Sequence, residues 1–168
     1  MDEQTQLSGL WAEMLKSLEA TRKRVSARIP PDAKAELGQF LTPSAVAHFM
    51  AAMFRPDHDV IRILDPGAGI GTLTAALVAA LAARSRPQIE IRATLYEVDP
   101  DLATTLRSTM AKCQSLCAES GITFQYEIST RDFIEQTASA LVSPLTQAVA
   151  ADYNCVILNP PYRKLHSD

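Results

Sequence analysis

Cysteine is scarce in this sequence, and what there is cannot organise it. Cys113, Cys117 and Cys155 cannot all pair with one another, and none falls in a CxxC or Cys/His metal spacing. The pattern excludes a cysteine-built metal centre and points to a reducing, cytoplasmic setting. Cys113 and Cys117 lie four apart and share a helix face, where they read as a redox pair or, more plainly, as two small apolar residues. An excess of charge is also missing: 16 Lys and Arg stand against 19 Asp and Glu, a net charge of -3. Without a global pull toward phosphate, contact with nucleic acid has to come from a local basic patch or another polypeptide. Long apolar runs are absent too. The most apolar stretch, Leu73 to Ala83, is too short to span a bilayer. Met1-Asp2-Glu3-Gln4 lacks the basic start and apolar core of a signal peptide, so no membrane partner is expected.

What is present suits one soluble domain: 168 residues, 47% hydrophobic and 21% charged, enough to bury a sizeable core. Apolar residues at Leu7, Leu10, Trp11, Met14, Leu15 and Leu18 draw one stripe along an N-terminal helix. Arg22-Lys23-Arg24 and Arg28 lead into Ile29-Pro30-Pro31, where a linker is expected to begin; the basic cluster reads as a solvated helix end or a phosphate contact. Thr42-Pro43-Ser44 opens a further helix carrying Val46, Phe49, Met50 and Met53 at helical spacing. Beyond it, strands and helices alternate. Strands are expected at Val60 to Leu64, Ile89 to Tyr96, Ile122 to Ile128 and Cys155 to Leu158. Helices are expected at Thr72 to Arg84, Asp101 to Glu119, Phe133 to Val142 and Thr146 to Ala151, the last two broken at Pro144. Strict alternation implies parallel pairing through right-handed crossovers, hence an open α/β sheet.

The run Leu64-Asp65-Pro66-Gly67-Ala68-Gly69-Ile70-Gly71 joins the first strand to its helix, where such a sheet places its ligand crevice. A tight turn without a ligand is the plain alternative. Glu97 ends the second strand, with a carboxylate able to accept from both hydroxyls of a ribose. That position suits NAD and S-adenosylmethionine alike. The GxGxG spacing differs from the GxGxxG of dinucleotide binders, and Asp65 at the loop entrance disfavours a pyrophosphate while suiting the ammonium of a methionine. A methyl donor is the better fit. After the third strand, Asp132 reads as an acceptor for an adenine amino group or as a helix N-cap.

The fourth strand ends in Asn159-Pro160-Pro161-Tyr162. Two prolines make a rigid turn with free carbonyl acceptors, and Asn159 adds an amide oxygen. Acceptors on both hydrogens of an adenine amino group favour sp³ character and keep its lone pair available for attack. Tyr162 offers a face on which a flipped base stacks.

With these residues in order, the chain closely resembles the gamma-ordered adenine-N6 DNA methyltransferases of restriction systems. The resemblance covers about Gly38 to Tyr162 and implies a Rossmann-like, S-adenosylmethionine-dependent fold. In that family a Gly-Gln-Phe/Tyr-x-Thr-Pro run contacts the methionine part of the donor, matched by Gly38-Gln39-Phe40-Leu41-Thr42-Pro43. The resemblance likewise assigns the glycine loop from Asp65 to Gly71 (Asp65, Gly67, Ala68, Gly69, Gly71), the ribose carboxylate to Glu97, and Val98 to the adenine face. Asp132-Phe133 match the adenine-binding pair, and Asn159, Pro160, Pro161 and Tyr162 the catalytic turn.

Members of that family continue with three more strands and a target-recognition domain. The expected organisation is therefore an N-terminal helix and basic linker over residues 1–37 and a partial catalytic domain over residues 38–168, truncated after the fourth parallel strand. DNA would be reached through a recognition domain or subunit elsewhere. The apolar strand Cys155-Val156-Ile157-Leu158 becomes an edge for a complementary polypeptide or a second copy. A glutamine-N5 protein methyltransferase, an RNA adenine methyltransferase and a non-catalytic donor-binding fragment remain open.

Overall fold

A computed structural model describes residues 3–28, 40–55, 57–84, 89–142 and 153–160. The elements run α1 (Glu3–Arg28), α2 (Ser44–Met53), β1 (Val60–Asp65), α3 (Thr72–Ala82), β2 (Glu90–Tyr96), α4 (Pro100–Glu119), β3 (Thr123–Ser129), α5 (Phe133–Val142) and β4 (Cys155–Val156). The expected helix at Thr146 to Ala151 and the break at Pro144 lie outside the described residues.

All four strands are parallel, in the order β3-β2-β1-β4. Successive right-handed crossovers from β1 to β2 to β3 put α3 and α4 on one face, and the return from β3 to β4 sends α5 to the other. Register explains which face holds the core. Ile61 and Ile63 align with Ile91 and Ala93, and these with Phe124 and Tyr126, while Cys155 aligns with Ile63. This row is buried except for half-buried Tyr126 and packs as one apolar cluster with Leu77, Val78, Leu106 and Met110. The alternate row is polar: Arg62, Arg92 and Gln125 align, as do Leu64, Thr94 and Glu127. The sheet is thus apolar on its α3/α4 face and largely polar on its α5 face.

Helix α1 extends beyond the Leu7 to Leu18 stripe and runs to Arg28, ending just before Ile29-Pro30-Pro31, where a linker was expected to begin. Arg22 pairs with Glu19 one turn back, and Arg24 donates to Thr21, so the basic segment is held within the helix. Trp11 and Leu18 from the expected stripe are buried, whereas Leu10 is exposed. In α2, Val46, Phe49 and Met53 face outward, and the buried positions are Ala47 and Ala51. Small residues win because α3 opposes α2 with its own alanines, and only side chains without γ-carbons let two helices approach this closely.

The ends of α4 follow ordinary capping chemistry. Asp99 Oδ1 accepts from the amides of Asp101 and Leu102, and Pro100 supplies a preset φ at the first position. Cys113 and Cys117 sit buried along α4, and Cys155 is buried in β4; all three are free thiols. Burial pushes the Cys117 thiol up to about 12 and Cys155 to about 11, so they act as small apolar residues. Among the described residues no helix is long and apolar enough to cross a membrane.

Strand β4 is shorter than expected, and a side chain extends its attachment. Asn154 Oδ1 accepts from the Arg62 amide at 2.8 Å, and its Nδ2 donates to the Val60 carbonyl at 2.9 Å. The Asn154 amide donates to the Arg62 carbonyl, and Ile157 donates to Leu64. Asn154 thereby reproduces a backbone ladder with its amide group and fixes the chain that leads to Asn159.

Candidate active site

The carboxyl ends of the strands converge where the sheet order changes direction, between β1 and β4, and open sheets of this kind hold ligands there. Four connections meet at this end: residues 66–71 after β1, 97–99 after β2, 130–132 after β3 and 157–160 after β4.

The glycine loop owes its shape to two positive φ angles, 56° at Gly69 and 86° at Gly71. A Cβ on Gly71 would lie 2.7 Å from Leu106 Cδ1 and 2.9 Å from Met110 Cε, so α4 closes directly on the loop. A Cβ on Gly69 would lie 2.9 Å from Leu41 Cδ2. Above Gly67 a Cβ would meet nothing within 4 Å, leaving that backbone open to a ligand. The Ala68 amide donates to the Tyr96 carbonyl at 2.9 Å, which ties the loop to β2.

Glu97 is buried, and backbone amides hold both of its carboxylate oxygens: Gly69 donates to Oε2 at 2.8 Å and Asp99 to Oε1 at 2.9 Å. Burial raises its pKa, while these amides oppose the rise. The Val98 amide also bears on the carboxylate, and the lone-pair capacity that remains can accept from a hydroxyl. Val98, next in sequence, is exposed at the crevice.

Asp65 lies deeper than the sequence suggested. It is fully buried instead of standing at the loop entrance; Thr74 Oγ1 donates to its Oδ2 at 2.7 Å, and its Oδ1 is buried without a hydrogen-bond partner. Burial pushes this carboxyl up to about 7, with the Thr74 bond and the Gly67 amide opposing the rise and the charge of Glu97 adding to it.

After β3, Asp132 acts as the N-cap of α5: its Oδ1 accepts from the amides of Ile134 at 2.7 Å and Glu135 at 3.0 Å. Phe133 sets its ring edge-on to Tyr96, with centroids 5.1 Å apart.

The segment from Phe40 to Pro43 joins the loop after β4 to the glycine loop. Asn159 Nδ2 donates to the Phe40 carbonyl at 3.2 Å. A carbonyl oxygen only accepts, so the Asn159 amide has its nitrogen toward Phe40 and its Oδ1 turned to other partners. Phe40 and Pro160 are exposed, Thr42 is buried, and Pro43 caps α2 in extended conformation. Gly38, Gln39, Pro161 and Tyr162 lie outside the described residues.

Residues not anticipated from the sequence anchor this segment. Glu19 Oε2 accepts from the Ser44 amide at 3.1 Å and from Ser44 Oγ at 2.8 Å. Arg22 grips both oxygens of Glu19 and reaches the Leu41 carbonyl at 3.4 Å. The Arg22 guanidinium holds the Glu19 carboxyl down to about 2, helped by Ser44 and opposed by partial burial. An i,i+3 acid–base pair on an amphipathic helix was the visible signal; its long-range partners were not.

This arrangement, with a glycine loop after β1 and a carboxylate after β2 in a β3-β2-β1-β4 parallel sheet, is that of a Rossmann-like methyltransferase through its fourth strand. The chain is 37% identical over 139 residues to the Type II methyltransferase M.BsuBI of Bacillus subtilis, covering 80% of the chain and 26% of that enzyme. It is 31% identical over 148 residues to the Type II methyltransferase M.PstI of Providencia stuartii, covering 88% of the chain and 28% of that enzyme. The chain thus spans about a quarter of the length of these relatives. No known family profile matches it.

Proposed function

We propose that this chain carries the donor site and catalytic turn of an S-adenosylmethionine-dependent DNA methyltransferase of restriction-modification type, acting on the N6 amino group of adenine. The similarity to two Type II methyltransferases over most of the chain supports the transferase class. The observation that carries the adenine reading is the bond from Asn159 to Phe40, which orients the Asn159 amide as an acceptor beside the crevice.

The residues present fit the donor. The buried Asp65 Oδ1 lacks a partner, Gly67 leaves open space above its backbone, and Glu97 retains accepting capacity. In this reading Phe40, Thr42 and Pro43 line the methionine end, with Asp65, Gly67, Ala68, Gly69 and Gly71 around the amino-acid moiety. Glu97 accepts from the ribose hydroxyls, Val98 and Phe133 flank the adenine, and Asp132 accepts from its amino group while capping α5. When bound, the donor supplies an electrophilic methyl group. Asn159 Oδ1 and the Pro160 carbonyl accept from the two hydrogens of the target amino group, Pro161 keeps the turn rigid, and Tyr162 stacks on the flipped base.

Target recognition belongs, in this proposal, to a domain or subunit beyond residues 38–168, consistent with the quarter-length match to the relatives. Among the described residues β4 pairs only with β1 and exposes Val156 and Leu158, which makes it the edge for a complementary polypeptide or a second copy. Mass spectrometry of nucleosides from DNA treated with the complete enzyme tests the assignment. N6-methyladenine is the expected product; methylated glutamine in protein or methylated adenine only in RNA would overturn it.

A further inference from the structure

We infer that Glu19, on the N-terminal helix, is a positioning residue that sets both halves of the candidate active site through the Phe40–Ser44 segment. The inference rests on the donor-site reading above.

Helix α2 begins with no acidic residue in its first turn, and Pro43, its N-cap, contributes no side-chain bond. A helix start of that kind leaves amides seeking an acceptor. Glu19 supplies one from another helix, 25 positions away, taking both the Ser44 amide and the Ser44 hydroxyl on Oε2. Arg22 binds Glu19 through Nε and Nη2, a two-pronged contact that fixes the carboxylate plane, and extends Nη1 to the Leu41 carbonyl. The segment is therefore tied to α1 at both Leu41 and Ser44.

Two contacts transmit that placement. The Leu41 side chain lies over Gly69, whose amide in turn donates to Glu97. The Phe40 carbonyl, adjacent to Leu41, accepts from Asn159. One short segment thus touches the glycine loop on one side and the catalytic turn on the other, and the Glu19–Arg22 pair decides where it sits. Neither residue contacts the crevice itself, so their effect on the site is indirect.

The test is made on the 168-residue chain with Glu19→Ala and Glu19→Gln, reading thermal midpoint, amide exchange and S-adenosylmethionine affinity by calorimetry. Glu19→Ala should speed exchange in residues 40–44 and also in residues 67–71 by about tenfold, and weaken donor binding by about five- to tenfold. Glu19→Gln, which keeps an acceptor for Ser44, should fall between Glu19→Ala and wild type. In the complete enzyme donor KM should rise and kcat should fall together, and Glu19→Gln should recover part of each, a graded rescue that general destabilisation does not produce. Faster exchange confined to residues 40–44, with donor affinity unchanged, would overturn the inference. If Glu19→Ala gives no cooperative melt, Ser44→Ala, which removes only the hydroxyl half of the contact, carries the same comparison: about twofold to threefold weaker donor binding supports it, and an unmoved loop overturns it. A wild-type chain that does not bind the donor would refute the donor-site reading, and the exchange of residues 67–71 in Glu19→Ala then decides the coupling by itself.

Discussion

Asn159 donates its side-chain amide to the carbonyl of Phe40 at 3.2 Å, joining residues 119 positions apart. The contact sets the orientation of a group whose two ends differ in chemistry, one donating and one accepting. If Asn159 acts as proposed, replacing it by Ala in the complete enzyme should lower kcat for methyl transfer at least about a hundredfold while changing donor affinity little, since its acceptor would then act at the reacting centre. Single-turnover kinetics alongside donor calorimetry check this, and equal losses in both would mark Asn159 as structural.

Glu97 holds the glycine loop and, in the proposed function, the donor, and its removal should show both. Glu97→Ala withdraws the acceptor from the amides of Gly69 and Asp99 and, in the proposed function, from the ribose. Donor affinity should fall about ten- to hundredfold, and stability by about 1–3 kcal/mol. Calorimetry with S-adenosylmethionine and NAD in parallel tests the cofactor assignment as well: the wild-type chain should bind the first and not the second.

Asp65 imposes an unusual pH dependence. Its carboxyl titrates at about 7 in the folded chain against an ordinary value of 3.8, with burial as the main cause. The folded state therefore binds the proton more tightly than the unfolded state. Stability from this group is greatest below about pH 4 and declines as pH rises through 7, by on the order of 4 kcal/mol. Asp65→Asn should flatten that decline. Denaturant melts of both proteins at several values between pH 4 and 8 measure the difference; parallel curves would refute it.

At Gly71 the backbone and the packing make the same demand. With φ at 86° and α4 side chains within 3 Å of a would-be Cβ, Gly71→Ala strains the turn and displaces Leu106 and Met110. A loss of about 2–4 kcal/mol is expected from the two effects together, read from the urea midpoint. Gly67→Ala, which meets nothing within 4 Å, should cost far less stability and act instead on donor binding.

Periodicity and turn chemistry made the α/β frame legible, because each strand and helix announces its own burial pattern locally. The helix Phe133–Val142 begins and ends where the sequence placed it. Where the reading went astray, distant residues had intervened. In α2, large apolar residues at helical spacing suggested the buried stripe, yet Ala47 and Ala51 are the buried positions because the facing helix is itself built of alanine. The depth of Asp65 depends on Thr74, in the helix that packs over β1. The glycine loop and Asn159 could be recognised as motifs; the Glu19 anchor could not, since its meaning lies in a contact with Ser44.

The amide of Asn154 has a consequence for how the chain assembles. Its bond to Arg62 spans 92 positions, whereas β1 meets β2 after a single crossover helix. Loop closure over the longer span costs more entropy and is repaid only once the neighbouring strands exist to receive it. On a growing polypeptide, β1 and β2 precede Asn154 by more than fifty residues and are made well before it. The groups that read as holding the nucleoside are thus in position early, and Asn159 arrives last, drawn into register by the side chain five residues before it. In the proposed function, the site is complete only when this late strand docks.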